Sequence, residues 1–169
     1  MSNIQTTNIP PSGSSPVSSE RASTLKSFMS SFYTTSDNPT AHNEYANFFT
    51  KNATLIMGGK RVDGFDGMLP FLPILLKEIS DDGKDILAFR KSIWTAVLSR
   101  KHVVNKIFFG EDNDMMLHGT VTYVMKHDPE GKDVKIDWAA RAEFEDTQDG
   151  PKMRYYQVYL AAAAAVQKS

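Results

Sequence analysis

Two residue types in the second half of the chain could move protons without a cofactor. His118 lies in a stretch of alternating apolar and polar residues, with Thr120 and Thr122 on its side. An imidazole titrates near neutral pH and can shuttle a proton when a partner orients it. Tyr156 lies near the end of the chain, and its phenol can donate a hydrogen bond to a carbonyl or enolate oxygen. Because a lone histidine on a strand is more often structural than catalytic, the roles of proton shuttle and oxyanion donor are hypotheses for His118 and Tyr156.

Several other chemistries find no support in the residue inventory. The chain has no cysteine, which removes thiol nucleophiles, disulfides and cysteine-ligated zinc. Its four histidines, at positions 42, 102, 118 and 127, do not have the spacing of metal ligands. The segment Gly64–Gly67 lacks the full glycine fingerprint of a nucleotide-binding fold, and no Gly-x-Ser-x-Gly elbow is present. The sequence therefore predicts neither a cofactor nor a metal.

Composition and charge indicate one globular domain of ordinary size. The chain has 169 residues, of which 41% are hydrophobic and 23% charged, and its formal net charge is −1. This balance offers no general attraction for nucleic acid or anionic lipid. No apolar run approaches the roughly 20 residues of a membrane span, and no secretory signal pattern is visible. We therefore predict a cytoplasmic protein whose partners include neither nucleic acid nor a membrane.

Three segments of the chain differ in composition. Residues 1–19 are rich in Ser, Thr, Asn and Pro and contain no acidic residue, which predicts a disordered arm. Residues 20–160 show no internal repeat and are predicted to form the domain. Residues 161–169 begin with five alanines, and a helix this short is marginal without packing.

The first half of the domain is predicted to be helical. Apolar residues from Leu25 to Phe32 recur at three- and four-residue spacing, after a possible cap at Ser18 or Ser19. Residues 37–39, Asp-Asn-Pro, should stop this helix. Further predicted elements are a short helix at 42–49, a strand at 53–57 and a third helix with an apolar stripe at 68–79. Residues 80–100 remain ambiguous.

From residue 102 onward the hydrophobic period changes to two, which is typical of half-buried strands. Strands are predicted at 102–109, 115–125, 134–145 and 153–160. On the third of these, alternate apolar residues including Trp138 should face the helices, and Asp137 and Arg141 should face outward. The order of elements predicts an α+β domain, with a curled antiparallel sheet of four main strands and a short one packed on three N-terminal helices.

This order of elements resembles the nuclear transport factor 2-like superfamily and, within it, the SnoaL-like subgroup with its fungal members. The likeness is carried by the Gly-x-x-Gly entry at 64–67 and by the strand segments 118–123, 138–141 and 154–160. It spans residues 25–160 and lies in order and spacing rather than in one motif. The resemblance implies a cone-shaped fold, a blind pocket between helices and sheet, and a homodimer through the outer sheet face.

The resemblance also implies which side chains surround the pocket. Those predicted to bind an apolar small molecule there are Tyr33, Tyr45, Met57, Trp94, Trp138 and Val158. Enzymes of this superfamily often carry an inward acid on the last strand, but that place is held here by Val158, with Tyr156 and Arg154 on its side. A second acid common near the strand end falls at Ala161. These departures count against mechanisms that need the two carboxylates.

Two functions therefore stay open from the sequence. The first is a cofactor-independent isomerase, cyclase or dehydratase of secondary metabolism, with His118 and Tyr156 as its catalytic residues. His42 and Glu44 are weaker candidates, since an acid in the first turn of a helix usually interacts with the helix dipole. The second is a ligand-binding or dimeric scaffolding module of the same fold, which the missing acids favour.

Overall fold

The computed structural model describes residues 5–8, 17–57, 60–63, 84–111 and 113–161. Its helices are α1 (Ser19–Ser36), α2 (His42–Ala46) and α3 (Lys84–Ala96). Its strands are β1 (Gln5–Asn8), β2 (Phe49–Met57), β3 (Lys60–Asp63), β4 (Val97–Phe109), β5 (Asp114–Met125), β6 (Asp133–Thr147) and β7 (Gly150–Leu160). None of the described helices is long and apolar enough to cross a membrane.

Helix α1 begins and ends where the sequence predicts. The Ser18 side chain accepts a hydrogen bond from the backbone N–H of Arg21, which satisfies one of the donors left free at a helix start. Leu25, Met29 and Phe32 lie on the face that packs into the core, and each is almost fully buried. Asp37 follows as the last capping residue, before Pro39. The side chains of Ser36 and Asp37 at this helix end accept hydrogen bonds from residues of β4.

The strands form one curled mixed sheet in the order β1-β4-β5-β6-β7-β2-β3. Strands β4 to β7 pair antiparallel as a meander, whereas β2 pairs parallel with β7 and β1 pairs parallel with β4. Along β6, Trp138, Ala140, Ala142 and Phe144 are buried in alternation, so the apolar face packs against the helices as predicted. The structure thus has the α+β cone architecture expected from the sequence.

A β-bulge in β7 changes which residues of that strand face the core. Tyr155 pairs with Glu143, but Met153 pairs with Phe144, so Arg154 is an extra residue in β7. Met153 and Tyr156 are both buried, while Arg154 is exposed and forms an ion pair with Glu143 at 2.9 Å. The predicted placement of Arg154 beside Tyr156 is therefore wrong, because strict alternation fails at the bulge.

Other differences concern the segments with the weakest patterns. Gln5–Asn8, inside the predicted disordered arm, is a strand that pairs with Lys106–Phe109 of β4. The ambiguous segment contains α3 and the first residues of β4. The helix predicted at 68–79, the entry at 64–67 and all but the first residue of the predicted tail lie outside the described residues.

Candidate functional site

A small cavity lies between α1, α2 and the inner face of the sheet. Its volume is about 10 Å³, which is roughly the space of one water molecule. Its apolar and aromatic wall is formed by Phe32, Tyr45, Met57, Trp138, Val158 and Leu160. Its polar lining is formed by Tyr33, Ser36, Arg100, His102, Tyr123 and Tyr156. Polar groups from one helix and several strands therefore converge on one apolar site.

An imidazole and a carboxylate form the first polar pair of this site. His102 points inward from β4, and its Nδ1 lies 2.5 Å from Oδ1 of Asp37 at the end of α1. The other carboxylate oxygen, Oδ2, accepts a hydrogen bond from the backbone N–H of His102 at 2.7 Å. Two contacts from one carboxylate thus fix the position of the ring and assign its proton to Nδ1. This tautomer leaves the lone pair of the ring on Nε2.

Burial keeps the imidazole in its neutral form at neutral pH. Desolvation lowers the pKa of His102 below its ordinary value of 6.5, and the hydrogen bond and charge of Asp37 oppose this effect only in part. The ring also packs against aromatic neighbours, with centroid distances of 5.0 Å to Tyr33 and 5.8 Å to Trp138. A neutral, oriented imidazole in an apolar environment is suited to act as a general base.

Two tyrosines form the second polar pair. The hydroxyl of Tyr33, from α1, lies 2.8 Å from the hydroxyl of Tyr156, from β7, and both side chains are buried. Burial raises the pKa of each phenol, so both keep their proton at neutral pH. One hydroxyl donates to the other, and the second proton can then be donated to a guest in the cavity.

A buried guanidinium completes the polar lining. Arg100 Nη2 donates to both the carbonyl oxygen and the side-chain oxygen of Ser36, and Arg100 Nε lies 3.5 Å from Oδ1 of Asp37. The ring of Trp94 packs against two cations, 5.1 Å from the Arg100 guanidinium and 5.0 Å from that of Arg90. Trp94 therefore supports Arg100 without lining the cavity.

The structure places six of the eight sequence-predicted site residues around the cavity: Tyr33, Tyr45, Met57, Trp138, Tyr156 and Val158. His118 is not among them. On β5 the buried residues are Met115, Leu117 and Val121, so His118 has the opposite parity and lies exposed on the outer face. Its ring stacks on Phe108 there, with a centroid distance of 6.1 Å. The prediction that His118 shuttles protons in the pocket is corrected, because the sheet separates it from the cavity.

Sequence reasoning missed His102, Asp37 and Arg100. Asp37 looked like a helix stop, which it also is. The strand predicted from residue 102 in fact begins at Val97. With that start, the buried positions Arg100 and Val104 alternate with the exposed positions Lys101 and Val103 and put His102 on the inner face. A polar residue on the inner parity of a strand was the available signal.

Comparison with known proteins gives relatives by structure only. No protein-family model and no curated protein matches the sequence. An NTF2-like protein of unknown function from Exiguobacterium sp. 255-15 has a TM-score of 0.53 and 17% identity, over 82% of this chain and 98% of that one. The epoxide hydrolase/cyclase-like enzyme SalBIII, linked to pyran ring formation in the polyether salinomycin, has a TM-score of 0.59 and 16% identity, over 83% and 93%. A candidate scytalone dehydratase from Novosphingobium aromaticivorans DSM 12444 has a TM-score of 0.58 and 11% identity, over 83% of both chains.

Proposed function

Starting from a chain that has the nuclear transport factor 2-like fold, we propose that its cavity catalyses a cofactor-independent proton transfer on a small, mostly apolar molecule. The proposed reaction is an isomerisation, a cyclisation or a dehydration of secondary metabolism, and it takes place in the cytoplasm. The observation that carries the proposal is the pairing of a neutral histidine, held by Asp37, with a buried tyrosine pair in one cavity. Fold alone would not carry it, because proteins of one fold perform many functions.

The chemistry assigns one task to each pair. Nε2 of His102 removes a proton from a carbon next to a carbonyl group, and the electrons of the C–H bond form an enolate. Tyr33 or Tyr156 donates a hydrogen bond to the oxygen that gains negative charge. Asp37 stabilises the imidazolium that forms on His102. In a substrate with a β,γ-double bond the enolate extends over that bond, and return of the proton to its γ-carbon, with the double bond moved next to the carbonyl group, completes an isomerisation. In a substrate with a β-hydroxyl group, transfer of the proton to the departing hydroxyl, with cleavage of the C–O bond and formation of a C=C bond, completes a dehydration.

The volume of the cavity limits which molecules can enter it in this conformation. Space for one water does not hold an organic substrate. Met57, Val158 and Leu160 are the half-buried part of the wall, and Met57 has a flexible side chain that can change rotamer at low cost. Binding therefore requires this part of the wall to move. SalBIII and the candidate scytalone dehydratase support the reaction class by likeness of fold.

The narrow cavity also favours the second candidate, a non-catalytic binding or scaffolding module of the same fold. The inward acids that many enzymatic relatives carry are absent at Val158 and Ala161. In this alternative the His102–Asp37 pair serves only to hold the end of α1 against β4. Such a role predicts a loss of stability on mutation without any effect on a chemical rate.

A proton-exchange assay separates the two functions. The probe is 2-tetralone in D₂O, with loss of the α-proton signal followed by NMR. We expect the wild-type protein to accelerate exchange and His102→Gln to lose roughly 10²–10⁴-fold of that acceleration, which is the usual contribution of a general base. Asp37→Asn should lose part of it. His127→Gln, in an exposed turn, is the matched control.

Three outcomes would contradict the proposal. One is a wild-type rate no higher than that of buffer, which favours the binding module. Another is an unchanged rate for His102→Gln when that variant is folded. A loss of rate in His118→Gln equal to that in His102→Gln would assign the chemistry to the outer face and reject the cavity as its place.

A further inference from the structure

Among the residues that the structure describes, the charges beside the cavity do not balance. Two arginines lie at the end of α1 and are nearly inaccessible, Arg90 at 1% and Arg100 at 7% relative exposure. Arg90 Nη2 donates to the carbonyl oxygens of Thr35 and Asn38, at 3.2 and 2.6 Å. Both cations therefore bind the carbonyl end of the helix, where the helix dipole supplies about half a negative charge.

Among the described residues, Asp37 supplies the carboxylate beside these cations, and this carboxylate is shared between Arg100 and His102. Its Oδ1 lies 2.5 Å from Nδ1 of His102 and 3.5 Å from Nε of Arg100. Burial and the nearby Arg100 lower the pKa of Arg90 to about 10, so Arg90 is still a cation at neutral pH. With His102 neutral, one carboxylate and a helix end face two buried cations. Both cations have hydrogen-bond acceptors, but buried charge that is not neutralised is costly, so the excess of positive charge makes this region suited to accept an anion.

Several buried donors also lack an acceptor among the described residues. They include Nε and Nη1 of Arg90 and the indole Nε1 atoms of Trp94 and Trp138. Nε of Arg100 makes no hydrogen bond either and has only its longer contact with Asp37, at 3.5 Å. Arg100 and Trp138 line the cavity itself, from β4 and β6. The side chain of Arg100 is only 3% exposed. Arg100 precedes His102 by two residues on β4, so the two side chains lie on the same face of the strand. A guest with negatively charged oxygens would meet a cation and an N–H donor beside the proposed base.

We propose that the cavity selects a substrate that carries a carboxylate, which binds Arg100 with the Trp138 indole as a second donor. The inference rests on the proposed function in using the same cavity, and it adds the class of substrate, namely a small carboxylic acid with an apolar body. A carboxylate can accept several hydrogen bonds and pairs well with a planar guanidinium. Held there, the acid group would place a neighbouring carbon of the substrate on the side of His102.

The test compares acids with amides of the same shape. Benzoate is titrated against benzamide, and acetate against acetamide, by NMR chemical-shift change on the full chain at neutral pH. We expect each acid to bind at least about tenfold more tightly than its amide, since hydrogen bonds to a charged group are roughly twice as strong as neutral ones. Trp138→Phe should weaken benzoate binding a few-fold while leaving benzamide unchanged.

Arg100→Gln and Lys106→Gln each remove one positive charge, and comparing them shows whether the preference for the acid over the amide arises in the cavity. Arg100→Gln should abolish the difference between acid and amide, and Arg100→Lys should keep part of it. Lys106→Gln, on the outer face, should leave the difference intact. The wild-type comparison does not depend on whether Arg100→Gln folds.

Equal affinity for acid and amide, binding of neither acid, or loss of the preference in Lys106→Gln would each overturn the proposal. These results are separate from those on the proposed function, because no reaction rate enters them. If the protein accelerates proton exchange yet binds acid and amide equally, the proposed function stands and the proposed class of substrate is rejected.

Discussion

Asp37 combines two roles that the sequence presents as one. Its position before Asn38 and Pro39 indicates a helix stop, and it does end α1. Its carboxylate, however, spans His102 and Arg100 on a strand more than sixty residues later. No local pattern could reveal that contact, because it depends on where the end of α1 packs on the sheet. A residue such as Asp37, whose local pattern is fully explained by the helix end, can therefore also be a functional residue of the site.

The tyrosine pair yields a prediction for stability. In Tyr156→Phe the buried hydroxyl of Tyr33 loses its partner, which costs about 1–3 kcal/mol in the free energy of unfolding. In the double variant Tyr33→Phe/Tyr156→Phe no polar group is left unpaired, so it should be more stable than either single variant. Urea unfolding of the four proteins measures this. Simple additivity of the two losses would show that the hydroxyls do not depend on each other.

Gly119 yields a second prediction at this scale. A Cβ at this position would lie 1.9 Å from the carbonyl oxygen of Val103 and 3.0 Å from the ring of Trp138. Gly119→Ala should therefore force β4 and β5 apart, destabilise the protein by about 1–3 kcal/mol and shift the indole of Trp138. Urea unfolding and tryptophan fluorescence check both effects, with Thr120→Ala on the outer face as control. Unaltered stability in Gly119→Ala would mean that the strands are not packed this closely.

At the scale of elements, the sequence was informative where a period ran without interruption. The stripe of α1 and the alternation of β5 and β6 identified the elements and, on β6, the buried face. It was misleading where pairing decided the outcome. The bulge at Arg154 and the parallel pairing of Gln5–Asn8 depend on a neighbouring strand, which no local period records. The prediction for His118 failed for a different reason: the alternation of β5 itself indicates the outer face, because the apolar residues Met115, Leu117 and Val121 have the parity opposite to that of His118.

The contact between α1 and β4 should make stability depend on pH. Burial lowers the pKa of His102 in the folded protein below 6.5, so the unfolded chain binds a proton first as the pH falls. The contribution to stability is complete above about pH 6.5 and is lost as the pH falls through the lowered pKa. Urea unfolding from about pH 7.5 to pH 5 should show a falling free energy of unfolding.

His102→Gln should flatten this dependence. His42, whose pKa burial and the cations Arg90 and Lys91 also lower, supplies the comparison variant His42→Gln. If His42→Gln removes the dependence and His102→Gln leaves it, the histidine that couples α1 to β4 has been misassigned.

At the scale of the whole molecule, the two faces of the sheet differ in composition. The inner face holds the core and the cavity, whereas the outer face carries the linked ion pairs of Arg141 with Asp114 and Glu143 and of Arg154 with Glu143. Exposed apolar side chains lie on this outer face as well, with Val103 at 38%, Met116 at 40% and Tyr159 at 47%. Strand register puts Met116 opposite Arg141 and His118 opposite Ala139, which in turn pairs with Tyr159. Apolar and charged groups thus share one surface, a composition that suits contact with a second copy.

We therefore predict a homodimer through the outer face. Sedimentation equilibrium at micromolar concentration should give about twice the chain mass of 18.9 kDa. Met116→Glu places a carboxylate in the middle of this surface and should shift the mass toward that of the monomer. Val134→Glu is a matched control, because Val134 is also exposed, at 39%, but has the parity of the inner face. A monomeric wild-type protein, or equal dissociation by both substitutions, would reject this surface as the interface, while the cavity on the other face of the sheet and its chemistry would stand unaffected.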